Sequence, residues 1–140
     1  MGCFRRLGPL AAVLAVFLGM AGRAEAGRVT VANKSSADVV MVFMYYDTAR
    51  DYFYVRGWYR VPAGKQVYWD FVVASDKYFY WYAKSTEQQW PSRGDRTQAV
   101  IDGPMDHKFD EVMNLPRAYD IDFATTQSDG EGNVSISLVD

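Results

Sequence analysis

Cysteine is almost missing: the 140-residue chain has one, Cys3. It lies ahead of the first apolar run, too early to be a lipoprotein acceptor. Beyond it there is no thiol for a disulfide, a nucleophilic thiolate or a cysteine zinc site. Histidine is as scarce. His107 stands alone, and no Gly-x-Ser-x-Gly elbow accompanies it, so a Ser/His hydrolase has no sequence basis. Basic clusters are absent too: 15 Lys and Arg oppose 17 Asp and Glu, a formal charge of −2, with no basic stripe to follow a phosphate backbone. Nucleic acid is thereby excluded as a partner. No internal repeat or low-complexity tract occurs, and no helix-period stripe exceeds about two turns.

The N-terminus has a recognisable order of regions. Arg5 and Arg6 form a basic start, Leu7 to Ala21 an apolar run, and Ala24-Glu25-Ala26 a small-x-small end. That order predicts a secretory signal peptide over residues 1–26, cleaved to expose Gly27. The apolar run falls short of the ~20 residues that span a bilayer, so no transmembrane segment is expected after cleavage. Leu7 and Gly8 follow the arginine pair where a twin-arginine signal needs a different continuation, which favours the general export route. The leader holds three of the 15 basic and one of the 17 acidic residues, leaving 12 and 16. Residues 27–140 fit a single domain in the periplasm or outside the cell. Its stability must come from packing.

Aromatic residues make up 16% of the chain, and only Phe4 and Phe17 belong to the leader. This enrichment favours strands. Val29 and Val31 alternate with polar neighbours before a turn at Asn33 to Ser36. The Val39 to Tyr46 run is apolar on both faces, as in a central strand covered on both sides or one buried at a sandwich seam. Tyr52 to Val61, Gln66 to Val73 and Tyr78 to Ser85 read as three neighbouring antiparallel strands joined by Pro62-Ala63-Gly64-Lys65 and Ala74-Ser75-Asp76-Lys77. A loop around Trp90 follows. Gln98 to Ile101 reads as a short strand and Asp106 to Leu115 as one or two helical turns. Arg117 to Thr125 and Asn133 to Val139 read as a closing hairpin. The whole predicts an all-β fold, an antiparallel sandwich or small barrel of about seven to eight strands.

Strand parity separates a core face from a surface face. In the Tyr52 strand it groups Phe53, Val55, Gly57, Tyr59 and Val61 as core, with Tyr52, Tyr54, Arg56, Trp58 and Arg60 opposite. In the Tyr78 strand Phe79, Trp81 and Ala83 oppose Tyr78, Tyr80, Tyr82 and Lys84. Tyr54, Arg56, Trp58, Arg60, Tyr80 and Tyr82 are therefore the candidate ligand-binding residues: flat rings beside cations suit a sugar face or a protein contact. The same rings also serve as a cross-strand ladder that needs no ligand, and a bulge near Gly57 would invert the parity.

Reactive groups are sparse. Asp102, Asp106, His107, Asp110 and Glu111 crowd one stretch, but their spacing fits neither a calcium loop nor a zinc site. Asp120 and Asp122 share one strand face and do not lie across a substrate. No cofactor or metal is expected. Arg93-Gly94-Asp95 matches an adhesion tripeptide, and Asn33-Lys34-Ser35 and Asn133-Val134-Ser135 match the glycosylation acceptor pattern. Each also works as an ordinary turn or strand end.

Val-Ala-Asn33-Lys-Ser, the run Gly57-Trp58-Tyr59-Arg60-Val61-Pro62-x-Gly64, then Tyr80-x-Tyr82-Ala83 and Trp90 together resemble the bacterial family called domain of unknown function 1036. Members often carry cysteines near the asparagine and after the Pro-x-Gly turn, which this chain lacks. The resemblance implies an exported bacterial β domain with no established activity and no catalytic residues to carry over. The resulting expectation is a non-enzymatic binding module for a cell-envelope protein or glycan. A small inhibitor or immunity protein against an envelope-acting enzyme is one alternative. A hydrolase using Asp102, Asp106, His107 and Asp110 is another.

Overall fold

The computed structural model describes residues 27–71, 73 and 77–140. The predicted leader lies outside them, as do Val72 and the Ala74 to Asp76 part of the predicted turn. Among the described residues run ten strands: β1 (Val29–Asn33), β2 (Val39–Asp47), β3 (Tyr52–Val61), β4 (Gln66–Trp69), β5 (Tyr78–Lys84), β6 (Gln89–Trp90), β7 (Arg96–Val100), β8 (Met105–Lys108), β9 (Tyr119–Gln127) and β10 (Val134–Leu138). A single 3-10 turn, Val112–Asn114, separates β8 from β9. The helical reading of Asp106 to Leu115 is thus corrected to a strand followed by that short turn.

The strands form two sheets. The larger is ordered β7-β9-β5-β2-β3-β8, with β6 added to the end of β5. The smaller is ordered β10-β1-β4, with β10 parallel and β4 antiparallel to β1. The larger sheet curls, but its edge strands β7 and β8 do not pair with each other, so it stays open and is not a closed barrel.

Strand β2 is the hub, and its sequence says why. Its Met41, Phe43 and Tyr45 enter a core shared with Val29 and Val31 of β1 and Val134, Ile136 and Leu138 of β10. Val42 and Met44 point the other way, into a second core with Val55, Met105, Phe123 and Val112 of the 3-10 turn. A strand buried on both faces reads as a continuous apolar run, whereas β10, covered on one face, alternates Val-Ser-Ile-Ser-Leu.

Two expectations about pairing are overturned. β3 pairs with β2 and β8, while β4 pairs with β1, so Pro62 to Lys65 is an arch between sheets and not a hairpin turn. Likewise β9 pairs with β5 and β7, and β10 crosses to β1, so the closing hairpin does not form. Periodicity reports which face of a strand is apolar; it does not report which neighbour it meets.

The turn after β1 is closed by a side chain. Asn33 is 1% exposed. Its Nδ2 donates to the carbonyls of Ala37 at 2.9 Å and Val61 at 3.0 Å, and its Oδ1 accepts from the Ser35 amide and hydroxyl at 3.0 and 2.6 Å. One amide thus ties β1 of the small sheet to β3 of the large one. The glycosylation reading of Asn33 is corrected here: its amide nitrogen is buried and doubly bonded.

Parity breaks at a bulge. Met41 faces Tyr59 but Val42 faces Gly57, leaving Trp58 as the extra residue of β3. A Cβ on Gly57 would fall 3.0 Å from the Met41 oxygen and 3.1 Å from the Val42 Cα, which explains a glycine at this point. On one side of the bulge Tyr59 and Val61 face the first core; on the other, Val55 faces the second.

Candidate functional site

The bulge decides where the six candidate residues go. Tyr54 and Arg56 are paired with Tyr45 and Phe43 and share their side of the sheet. Trp58, Tyr80 and Tyr82 pack against the second core, on the opposite side. Arg60 pairs with Val40 on that same side as Trp58. The six therefore do not make one platform, a correction of the parity reading.

Tyr54 and Arg56 belong to an ionic cluster. The Arg56 Nη1 donates to the Tyr45 hydroxyl at 2.9 Å, and its Nε stands 3.6 Å from the Asp106 carboxylate. Arg50 bonds Asp106 and Asp47, each at 3.0 Å, and lays its guanidinium 3.5 Å from the Tyr54 ring centre. Burial pushes the Tyr45 hydroxyl up to about 12, against the opposing pull of Arg56. These groups bind one another across β2, β3 and β8, which makes the cluster a clasp holding the β2–β3 loop to β8.

The opposite side is organised as two cross-strand rows. Arg60, Val40 and Lys84 are in register across β3, β2 and β5. One step along, Trp58 at the bulge and Tyr82 flank Val42, their rings edge to face at 6.1 Å. Cations thus flank one valine and aromatics the next. Two clefts meet over these rows and share Val40 and Lys84. One, of about 510 Å³, is lined by Gly57, Trp58, Asp102, Gly103 and Pro104. The other, of about 250 Å³, is lined by Asp38, Val39, Arg60, Ser85 and Thr86. Together they form a groove with an aromatic wall, an aliphatic floor and a charged rim.

Each rim group has a defined state. Trp58 Nε1 donates to the Ile101 carbonyl at 2.9 Å, which fixes the indole. Asp38 is lowered from its ordinary pKa by the Ala63 amide at 2.8 Å and by Arg60. Asp102 Oδ1 accepts from the Tyr119 hydroxyl at 2.6 Å; burial and this carboxylate raise the Tyr119 pKa. Lys84 Nζ lies 4.6 Å from the Trp58 ring centre. Sequence reasoning put Lys84 on the correct face but left it out of the site; its register with Val40 and Arg60 is what brings it in.

The acidic stretch does not assemble. Asp102 is held by Tyr119, Asp106 by Arg50, and Asp110 by the Tyr52 hydroxyl at 2.7 Å. His107 pairs with Val55 in the β8–β3 ladder. Among the described residues no three His, Cys, Asp or Glu come together to hold a metal. No helix among them is long and apolar enough to cross a membrane.

Arg93-Gly94-Asp95 precedes β7 and is held against β9. The Asp95 amide donates to the Phe123 carbonyl at 3.0 Å, and its carboxylate accepts from Thr125 at 2.6 Å. A Cβ on Gly94 would fall 2.7 Å from the Asp122 carbonyl carbon and the Phe123 oxygen, both backbone atoms of β9. Gly94→Ala is expected to cost about 1–3 kcal/mol through forced backbone movement. A melting temperature equal to wild type would overturn this close-approach account.

No protein-family model, curated protein or solved structure matches the chain.

Proposed function

We propose that the protein is an exported, non-enzymatic binding module of the kind implied by its resemblance to domain of unknown function 1036. In this reading it takes a cell-envelope glycan in the groove lined by Val40, Trp58, Arg60 and Lys84, with the buried Tyr82 ring backing Trp58. One observation carries the reading: the aromatic row lies directly beside the cationic row, over an aliphatic floor. A sugar ring has an apolar face that suits an indole and hydroxyls that suit charged and polar rims. The groove is charge-rimmed. Of the exposed large apolar side chains among the described residues, Tyr68, Tyr78, Met113 and Val139 do not line it and Tyr119 meets it only through its bond to Asp102, which favours a saccharide over a broad protein contact. The engagement of each acidic candidate by a separate partner supports a role in recognition.

The test is binding of the purified protein to solubilised envelope saccharide, followed by affinity electrophoresis. Trp58→Ala removes the wall and Val40→Gln fills the floor; each is expected to weaken binding about tenfold or more. Melting temperatures measured in parallel separate lost binding from lost structure, and Val40→Gln leaves the indole and its hydrogen bond in place. Wild-type protein that binds no saccharide, or folded variants that bind as well as wild type, would sink the reading.

A further inference from the structure

We infer that the groove selects acidic saccharides, with Lys84 as the residue that takes the ligand's carboxylate; this rests on the glycan reading just given and narrows it. The charged groups of the groove are unequally engaged. Asp38 and Arg60 are paired with each other, and Asp38 is bonded a second time by the Ala63 amide. Asp102 has one oxygen bonded to Tyr119. Lys84 is different: among the described residues it forms no ion pair, and its ammonium rests over the face of Trp58.

That placement matters for two reasons. Lys84 over the half-buried Trp58 ring gives up no ion pair when it moves, unlike a cation in a hydrogen-bonded ion pair, so it can leave the indole for an incoming carboxylate. When it turns away, the face of Trp58 is uncovered for the sugar ring. The same movement therefore satisfies the charge and frees the stacking surface. Register fixes where the charge must sit on the ligand: Lys84 is directly across from Val40, one row from the Trp58–Val42–Tyr82 row, so the carboxylate belongs on the stacked sugar itself. The remaining polar groups suit hydroxyls. Asp102 keeps a second carboxylate oxygen as an acceptor, Arg60 has N–H groups beyond the one given to Asp38, and Ser85 and Thr86 line the far cleft. A uronic acid unit has this combination of ring face, carboxylate and hydroxyls.

The experiment compares an oligogalacturonate with the neutral galacto-oligosaccharide of equal length, using the purified full-length protein and isothermal titration. The uronate is expected to bind at least ten times more tightly. Its advantage is expected to shrink as salt rises from about 50 mM to about 500 mM, because screening weakens an exposed charge pair. Lys84→Gln should bring the uronate's affinity down to that of the neutral ligand measured in the same variant, and Lys84→Arg should keep the preference. Equal affinity for the two ligands, still lost in Trp58→Ala, overturns the acidic preference and leaves the glycan reading standing. Absence of binding to both overturns the acidic preference at once; failure with envelope saccharide as well removes the glycan reading. A uronate preference that persists in folded Lys84→Gln also overturns the assignment.

Discussion

Phe43→Ala is expected to lower the stability of the protein by about 3–5 kcal/mol, enough to consume much of the 5–15 kcal/mol typical of a small domain. Phe43 is fully buried at the centre of β2. Its ring stacks on Tyr59 at 5.5 Å and meets Phe79 at 5.3 Å, both from the large sheet. It also meets Trp69 of the small sheet at 5.2 Å and Phe71 at 6.0 Å, each edge to face. Truncation removes the transfer free energy of the ring and leaves a cavity that neither sheet can collapse into without breaking its own ladder. The favourable ring geometries are lost with it, each contributing about 0.5–1.5 kcal/mol beyond burial. Urea denaturation followed by far-ultraviolet circular dichroism measures the change. Phe43→Leu, which keeps most of the volume, should cost clearly less. An alanine variant as stable as wild type would mean that the two sheets do not share this core.

Asn33→Ala is expected to cost about 2–4 kcal/mol, because it strands several buried groups at once. The carbonyls of Ala37 and Val61 lose their donor, and the Ser35 amide and hydroxyl lose their acceptor. Water cannot easily replace the side chain at a site 1% exposed. Asn33→Asp gives a sharper readout. It keeps the acceptor for Ser35 but presents carboxylate oxygens to two carbonyls, so its loss of stability relative to wild type should be larger at pH 7 than at pH 4. At the lower pH the neutral acid regains one donor, and burial favours that neutral form. Stability of the variant relative to wild type is thus gained as pH falls and lost as pH rises, the direction for a buried acid whose folded state holds its proton more tightly. Thermal melts of both proteins at the two pH values check the sign. An Asn33→Asp deficit indifferent to pH would argue against the two donor bonds.

Much of the architecture is legible in the residues. The unbroken apolar run of β2 announces a strand covered twice, and the alternation of β10 a strand covered once, as the two cores bear out. Turn chemistry at Asn33 to Ser36 and Pro62 to Lys65 marks true breaks between strands. What local pattern does not carry is partner choice. The chain changes sheet at β1–β2, β3–β4, β4–β5 and β9–β10, and nothing within a turn distinguishes an arch from a hairpin. The candidate residues suffered from a related limit. Period-two counting is sound up to Gly57 and again from Tyr59, but one extra residue, Trp58, moves every side chain beyond it to the other face. Glycine inside an aromatic strand was the available signal. Lys84 was missed because a lone lysine at a strand end carries no signal until cross-strand register sets it beside Arg60 and Trp58.

The parallel ladder between β1 and β10 joins Val29 to Val134 and Asn33 to Leu138. Within residues 27–140, β10 follows every other strand, so the small sheet stays unfinished and the first core stays unsealed until residues 134–138 have been made. Contacts of such long sequence separation slow folding, since loop closure must precede any reward.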